Sequence, residues 1–178
     1  LDWLKKEVKL SLGCTEPIAI AYAAAVAAKY LNAPILKITG NISENLYKNA
    51  MGVTIPGTSY CGVTLAAAIG AIGGNADADL EVLKDITATQ ITEAYIFNES
   101  GNVCLNAVDA TDFIFIDITL YSLSDQCRVV IQGSHTNVTE VYINNIKQIL
   151  VRDLIAANDS GVLPEFSLND AFKFVTDV

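Results

Sequence analysis

The sequence has little positive charge and no long apolar run. It carries 11 Lys and Arg against 20 Asp and Glu, for a formal net charge of -9, and no Lys/Arg cluster is present. Because nucleic acids and anionic membrane surfaces attract basic patches, we expect neither as a partner. The longest apolar stretch, residues 18–28, is too short and too rich in alanine to span a bilayer, so no membrane segment is expected.

Cysteine motifs and the phosphate-binding P-loop pattern are also missing. The four cysteines are widely spaced and form no C-x-x-C pair, so they predict neither a disulfide framework nor a zinc site: Cys14, Cys61, Cys104 and Cys127. The default compartment for such a chain is a reducing cytoplasm. No G-x-x-x-x-G-K-[ST] motif occurs, which excludes a P-loop nucleotide site of that type.

The most informative stretch that is present is residues 13–17, Gly-Cys-Thr-Glu-Pro, followed by an alanine-rich run. Thr15 suits a helix cap and Pro17 suits a first helical turn, so a helix is expected to begin just after Cys14. The positive end of the helix dipole then favours the thiolate of Cys14, whereas the neighbouring Glu16 opposes it. A small buried residue at a helix entrance is the alternative interpretation of this cysteine.

A polar loop forms the second informative region. Residues 41–49 include Lys48 and Asn49, and the Gly- and Thr-rich stretch 52–58 then runs to Thr58 ahead of a helix of small residues. A loop of this kind before a helix N-terminus offers N–H groups and hydroxyls to an anion, here a carboxylate rather than a phosphate. Lys48 suits the same anion, or is a solvated surface lysine.

The periodicity of the chain predicts an α+β fold. Helices are expected at 62–74 and 79–97, after a strand at 35–39 that Gly40 ends. A period of two then predicts further strands, with a tight turn at Asn144–Asn145, over residues 103–108, 113–120, 127–132, 137–143 and 146–151. This pattern indicates an antiparallel sheet of about four to five strands packed against the Ala-rich helices.

The expected organisation is a single α+β domain over residues 1–178, with a linker at 153–166 before a final helix. That helix has no stop signal before the last residue, so we expect the chain to be the N-terminal portion of a longer protein.

The only histidine lies in the glycine-led turn 133–137, Gly-Ser-His-Thr-Asn, where two predicted strands meet. Histidine titrates near neutral pH, so His135 in a polar turn is a candidate site residue. A surface or structural role is equally compatible with the pattern.

Four motifs occur in one order along the chain: residues 13–17, 45–49 with 52–58, 70–76 with 80–85, and 133–137. Together they resemble the L-cysteine desulfidase family, which is related to the iron–sulfur L-serine dehydratases. Residues 35–138 are also similar to the β domain of those dehydratases and to the allosteric substrate-binding domain of phosphoglycerate dehydrogenases. This similarity implies an α+β domain with an antiparallel sheet.

The resemblance implies β-elimination, in which L-cysteine gives pyruvate, ammonia and sulfide. Members of that family use a four-iron four-sulfur cluster as a Lewis acid, which leaves the protein to supply a base and a carboxylate anchor. Cys14 matches the thiol proposed as the base. The resemblance assigns the anchor and its polar surroundings to Lys48, Asn49, Thr58, His135 and Asn137.

The cluster ligands of that family lie in a C-terminal half that this chain does not contain. We therefore expect no metal ligand in this chain, no cluster bound to it alone, and no activity without the C-terminal half as a partner. The apolar composition is also compatible with a face against a second copy in a homo-oligomer. The alternatives are a serine dehydratase-like ammonia-lyase and a non-catalytic regulatory module that binds an amino acid through residues 56–58.

Overall fold

The computed structural model describes residues 11–148 and shows helices against one face of a six-stranded sheet, so the predicted α+β class is confirmed. The helices are α1 (Thr15–Leu31), α2 (Glu44–Met51), α3 (Val63–Gly73) and α4 (Ala88–Glu99), with a 3₁₀ segment at Ala76–Glu81. The strands are β1 (Lys37–Ser43), β2 (Val103–Val108), β3 (Phe115–Tyr121), β4 (Gln126–Gln132), β5 (Val138–Ile143) and β6 (Ile146–Lys147). The predicted linker at 153–166 and the final helix lie outside the described residues, and the single domain over 1–178 stays a prediction.

The sheet is mixed rather than antiparallel. Its strand order is β2-β1-β3-β4-β5-β6, and β1 runs parallel to β2 whereas the other neighbouring pairs are antiparallel. Parallel neighbours need a long crossover connection, which α2, α3 and α4 supply here. The predicted antiparallel sheet of four to five strands is therefore wrong at this edge, because alternation within a strand does not indicate which strand pairs with it.

Gly40 lies inside β1 and does not end it as predicted. It sits between Leu105 of β2 and Ile118 of β3. A Cβ at this position would collide with the carbonyl oxygen of Asp117. Glycine is thus required because neighbouring backbone approaches closely, and β1 continues to Ser43.

α1 is the buried centre of the fold. Its side chains from Pro17 to Ala27 are all buried, and it packs against α3 and against β3 and β4. The two helices come closest at Gly70, where a Cβ would overlap the backbone of Ala21. The small side chains of this alanine-rich helix thus let α3 approach its backbone closely. Among the described residues, no helix has both the length and the apolar character needed to cross a membrane.

The helix expected over residues 79–97 is interrupted. Asp79 has a φ of 47° within the 3₁₀ segment, and α4 begins only after Thr87. The Thr87 hydroxyl accepts from the backbone N–H of Gln90, and the Gln90 side chain accepts from the backbone N–H of Thr87 at 3.0 Å. This reciprocal capping box is a start signal visible in the sequence as Thr-x-x-Gln, which apolar spacing alone does not detect.

Replacing Thr87 with alanine is expected to lower the free energy of unfolding by about 1 kcal/mol. Loss of the hydroxyl leaves the backbone N–H of Gln90 without its hydrogen-bond acceptor. The matched control is Thr92→Ala, in the middle of the same helix, where the hydroxyl donates back to the Ala88 carbonyl at 2.9 Å. That change is expected to stay within about 0.5 kcal/mol. Urea denaturation of both variants tests the difference, and equal losses would contradict the capping role.

The turn between β5 and β6 is as predicted. Asn144 and Asn145 have φ values of 51° and 67°. Two consecutive residues with positive φ are typical of a two-residue hairpin turn, which asparagine tolerates well.

The two faces of the sheet differ in character. The face against the helices is apolar and buried, with Ile38 of β1 and Ile116 and Ile118 of β3 fully enclosed. The opposite face of the central strands, which we call the open face, is half-buried and carries polar side chains, among them Thr39, Asp117, Thr119 and Arg128.

Candidate functional site

The thiol that the sequence singled out lies at the N-terminus of α1. Cys14 is the residue just before the helix, with φ -61° and ψ 126°, and its side chain makes no capping hydrogen bond. Thr15 is already inside the helix, so the predicted Thr15 cap is wrong, and its hydroxyl lies 3.5 Å from the Glu16 carboxylate instead. The helix does begin directly after Cys14, as the position of Pro17 predicts.

Cys14 and Glu16 form a hydrogen-bonded pair. The thiol donates from Sγ to Oε2 of Glu16 at 3.0 Å, and both side chains are half-buried. This hydrogen bond, with burial and the carboxylate charge, raises the pKa of Cys14 above its ordinary value. Of the two opposing effects expected from the sequence, the one from the Glu16 carboxylate therefore exceeds the one from the helix start.

Glu16 connects the thiol to two other elements. The hydrogen bond from Cys14 is the main cause that lowers the pKa of Glu16, and the charge of His135 and the side chain of Asn49 lower it further, against burial. Asn49 comes from α2 and His135 from the turn between β4 and β5. Glu16 is absent from the predicted site residues. Its place in a first helical turn, two residues after the thiol, was the feature of the sequence that could have indicated it.

His135 is positioned by the turn that joins β4 to β5. Gly133 opens this turn with a φ of 81°, and Asn137 donates from Nδ2 to the carbonyl of Gln132 at 2.7 Å. Burial lowers the pKa of His135, whereas Glu16 raises it. The buried Nε2 of His135 has no hydrogen-bond partner among residues 11–148. Asn137 thus serves the turn that holds His135.

The pKa of His135 can be measured directly, since it is the only histidine in the sequence. Burial penalises the charged ring, so the Hε1 resonance is expected to titrate below the ordinary pKa of about 6.5. Glu16→Gln removes the negative charge that favours the imidazolium, so the pKa is expected to fall further. Glu99→Gln on α4 is the control and is expected to leave the titration unchanged. A higher pKa in Glu16→Gln would contradict the proximity of the two groups.

Lys48 and Thr58 are not brought to the thiol by any contact in the described part of the chain. The ammonium of Lys48 is 71% exposed and lies 3.8 Å from the carboxylate of Glu44, one turn earlier on α2. Thr58 donates from its hydroxyl to the Ile55 carbonyl at 2.9 Å and accepts from the Tyr60 N–H at 3.0 Å. Its hydroxyl is thus used within its own loop, beside an open depression of about 490 Å³ that α4 also borders.

The loop at 54–61 lies next to the site. A Cβ on Gly13 would lie 3.2 Å from Cγ of Pro56, so the loop contacts the turn that carries the thiol. Within the loop, Ile55 donates to the Tyr60 carbonyl and Thr58 donates to the Ile55 carbonyl, so these two N–H groups are used internally. The expected binding of a carboxylate by this loop stays a prediction. The small helix α3 begins only at Val63.

No group of three or more His, Cys, Asp or Glu side chains in residues 11–148 is arranged to hold a metal ion. The residues present do not fit a four-iron four-sulfur cluster. A cluster in a longer protein would need its ligands from outside residues 11–148. The presence of such a cluster stays a prediction.

The chain is similar over nearly its whole length to bacterial UPF0597 proteins. The relative from Klebsiella pneumoniae subsp. pneumoniae is 50% identical over 178 residues, which are 100% of this chain and 42% of the relative. The one from Shewanella sediminis is 45% identical over 179 residues, 98% of the chain and 42% of the relative. UPF0597 protein YhaM of Escherichia coli is 39% identical over 180 residues, 98% of the chain and 41% of the relative. No protein-family model and no solved structure matches the chain.

These names correct the family assignment made from the four motifs. The relatives that match across nearly the whole chain are UPF0597 proteins, and none of them is named a cysteine desulfidase or a serine dehydratase. The assignment to the L-cysteine desulfidase family is contradicted by this finding. The chain spans about two fifths of the length of the curated relatives it matches, and what the comparisons establish is its similarity to that part of UPF0597 proteins.

Proposed function

We propose that this chain supplies a proton-transfer pair, Cys14 and Glu16, to a lyase that eliminates the β-substituent of a small α-amino acid. The observation that carries this proposal is the 3.0 Å hydrogen bond from Sγ of Cys14 to Oε2 of Glu16 at the start of α1. A β-elimination needs one group to take the Cα proton and one to protonate the leaving group. Two adjacent groups that share a proton can serve both needs.

The proton movements balance as follows. The thiol proton of Cys14 passes to the Glu16 carboxylate, which leaves a thiolate and a carboxylic acid. The thiolate takes the Cα proton of the substrate, and the carboxylic acid protonates the departing β-substituent. The substrate leaves as an aminoacrylate, which hydrolyses to pyruvate and ammonia when the β-carbon carries no other group. The thiol and the carboxylate are both regenerated.

The first of these steps is unfavourable in the chain alone, since the pKa of Cys14 is raised and that of Glu16 is lowered. A substrate ammonium placed nearer to Sγ than to the carboxylate would favour the thiolate, because an opposite charge within about 4–6 Å stabilises an ionised group.

The activity belongs to the longer protein, because this chain corresponds to about two fifths of its relatives. L-Cysteine is the first candidate substrate and L-serine the alternative, which differ in the leaving group. The rest of the polypeptide is proposed to complete the site. The motifs predict that five residues contact the substrate or form its polar surroundings, and this stays a prediction for each of them: Lys48, Asn49, Thr58, His135 and Asn137.

Anaerobic assay of the full-length product of the gene tests this function. Pyruvate is expected from L-cysteine or L-serine, and Cys14→Ala is expected to lower kcat by about 10²- to 10⁴-fold, the usual loss for an acid–base group. Cys61→Ala is the matched control, because that cysteine is exposed on the neighbouring loop. It is expected to keep the wild-type rate. The proposal fails if neither amino acid gives pyruvate, or if Cys14→Ala turns over as fast as the wild type.

A further inference from the structure

The open face of the sheet contains a polar cavity that is separate from the thiol site. Its volume is about 270 Å³, and it is lined by Thr39, Gly40, Asn41, Asn106, Asp117, Thr119 and Arg128. The register places Asn41 opposite Asp117, and Thr119 opposite both Thr39 and Arg128. The lining thus comes from four adjacent strands, β2, β1, β3 and β4, at one level of the sheet.

An ion pair is held across this cavity. Arg128 donates from Nε to Oδ1 of Asp117 and from Nη2 to Oδ2, both at 2.8 Å. Its Nη1 lies 3.7 Å from Glu140, and the guanidinium sits 5.4 Å from the ring centroid of Tyr142. Lys147 in turn lies 3.3 Å from Glu140. Asp117 and Glu140 therefore hold Arg128 in place, and together with Lys147 the four side chains carry no net charge.

Of the remaining polar side chains of the cavity, Thr39 donates from its hydroxyl to Oη of Tyr121 at 3.4 Å, and the other three are unused by the described part of the protein. Within the described residues, the side chains of Asn41, Asn106 and Thr119 make no hydrogen bond to a protein group. Each amide offers donors and an acceptor, and the hydroxyl offers one of each. The cavity thus combines one fixed ion pair with neutral groups that are ready to bind a small polar molecule.

We propose that this cavity binds a small zwitterionic α-amino acid, with the ligand carboxylate at Arg128 and the ligand ammonium at Asp117. A zwitterion matches a neutral ion pair, because each of its charges meets an opposite one and no charge is left over. A simple anion would be attracted by Arg128 but repelled by Asp117. A simple cation would be attracted by Asp117 but repelled by Arg128. The ligand need not break the pair, because Asp117 accepts only two of the five N–H groups of Arg128 and each of its carboxylate oxygens keeps a free lone pair.

This cavity is independent of the proposed elimination, since it shares no residue with the Cys14 and Glu16 pair. It agrees in kind with a regulatory module that binds an amino acid, but it places the ligand on the sheet and not at residues 56–58.

Titration of the full chain with L-alanine, followed by ¹H–¹⁵N NMR, tests the site. Saturable shifts are expected at the amides around the cavity in β1 to β4. N-acetyl-L-alanine keeps only the carboxylate and L-alaninamide only the ammonium, so each is expected to bind at least about tenfold more weakly. Equal binding of all three compounds, or no saturable shift with L-alanine, would overturn the proposal.

Two variants separate this site from general surface effects. Arg128→Gln is expected to weaken binding of L-alanine about tenfold. Asn106→Ala, at an exposed position with no protein partner, is expected to weaken it roughly threefold without affecting the fold. Lys37→Gln removes a cation from β1 outside the cavity and is expected to bind L-alanine with wild-type affinity. Cys14→Ala, which is also outside the cavity, is expected to bind L-alanine with the same affinity. Wild-type affinity in both Arg128→Gln and Asn106→Ala would refute the site.

Discussion

Replacing Glu16 with glutamine is expected to change two rates in opposite directions. Alkylation of Cys14 at pH 7.5 should become faster, because the carboxylate that accepts the thiol hydrogen bond at 3.0 Å also raises the thiol pKa. A lower thiol pKa increases the fraction of thiolate, which is the form that reacts. Turnover of the full-length protein should instead fall by about 10²-fold or more, because an amide cannot take up the thiol proton.

Iodoacetamide labelling across pH, read for each cysteine by mass spectrometry, measures the first rate. Cys61 and Cys104 are exposed and serve as internal controls within the same sample. Their rates should not respond to the substitution at Glu16. A Cys14 pKa that stays the same or rises in the variant would contradict the structure of the pair. Faster labelling together with unchanged turnover would leave the pair intact and remove its role in catalysis.

Gly70→Ala is expected to be the most damaging small substitution in the core, with a loss of about 3 kcal/mol or more in the free energy of unfolding. A Cβ at Gly70 would overlap the backbone of Ala21, so α1 and α3 would have to separate. Helix propensity favours alanine over glycine by about 1 kcal/mol, so a net loss shows that the contact between the helices decides the outcome.

Gly52→Ala is the matched control for that substitution. Gly52 ends α2 with a φ of -95°, and a Cβ there would meet nothing within 4 Å. Its stability is expected to be unchanged or higher by up to about 1 kcal/mol, because alanine restricts the unfolded chain. Guanidinium denaturation of both variants measures the difference. Equal stabilities for the two variants would contradict the close approach of α1 and α3.

Local signals carried most of the secondary structure. The start of α1 follows from the residues around Cys14, and the last hairpin follows from Asn144–Asn145, since each depends on neighbours in sequence. The pairing of β1 with β2 was not predictable in this way. Three helices separate those strands, and only the packing of the helices on one face brings the strands together.

The candidate site likewise combines features that follow from neighbouring residues in sequence with features that depend on the folded structure. The position of Cys14 at a helix start was predictable, and so was an opposing effect of Glu16, but the hydrogen bond between the two side chains was not. That bond depends on the side-chain conformation of Glu16, which places a carboxylate oxygen 3.0 Å from the sulfur. The proximity of His135 and Asn49 to Glu16 arises from elements far apart in sequence. The composition of the loop at 54–61 did not show that the N–H groups of Ile55 and Thr58 bond within the loop.

Hydrogen–deuterium exchange at the α-carbon tests the central claim most directly. L-Alanine has no leaving group, so incubating it in D₂O with the full-length protein isolates removal of the Cα proton. The ¹H NMR signal of that proton is expected to disappear with the wild type and with Cys61→Ala, and to disappear at least about 100-fold more slowly with Cys14→Ala. Exchange at the wild-type rate in Cys14→Ala, or no exchange with the wild type, would contradict the role of Cys14 as the group that takes the proton.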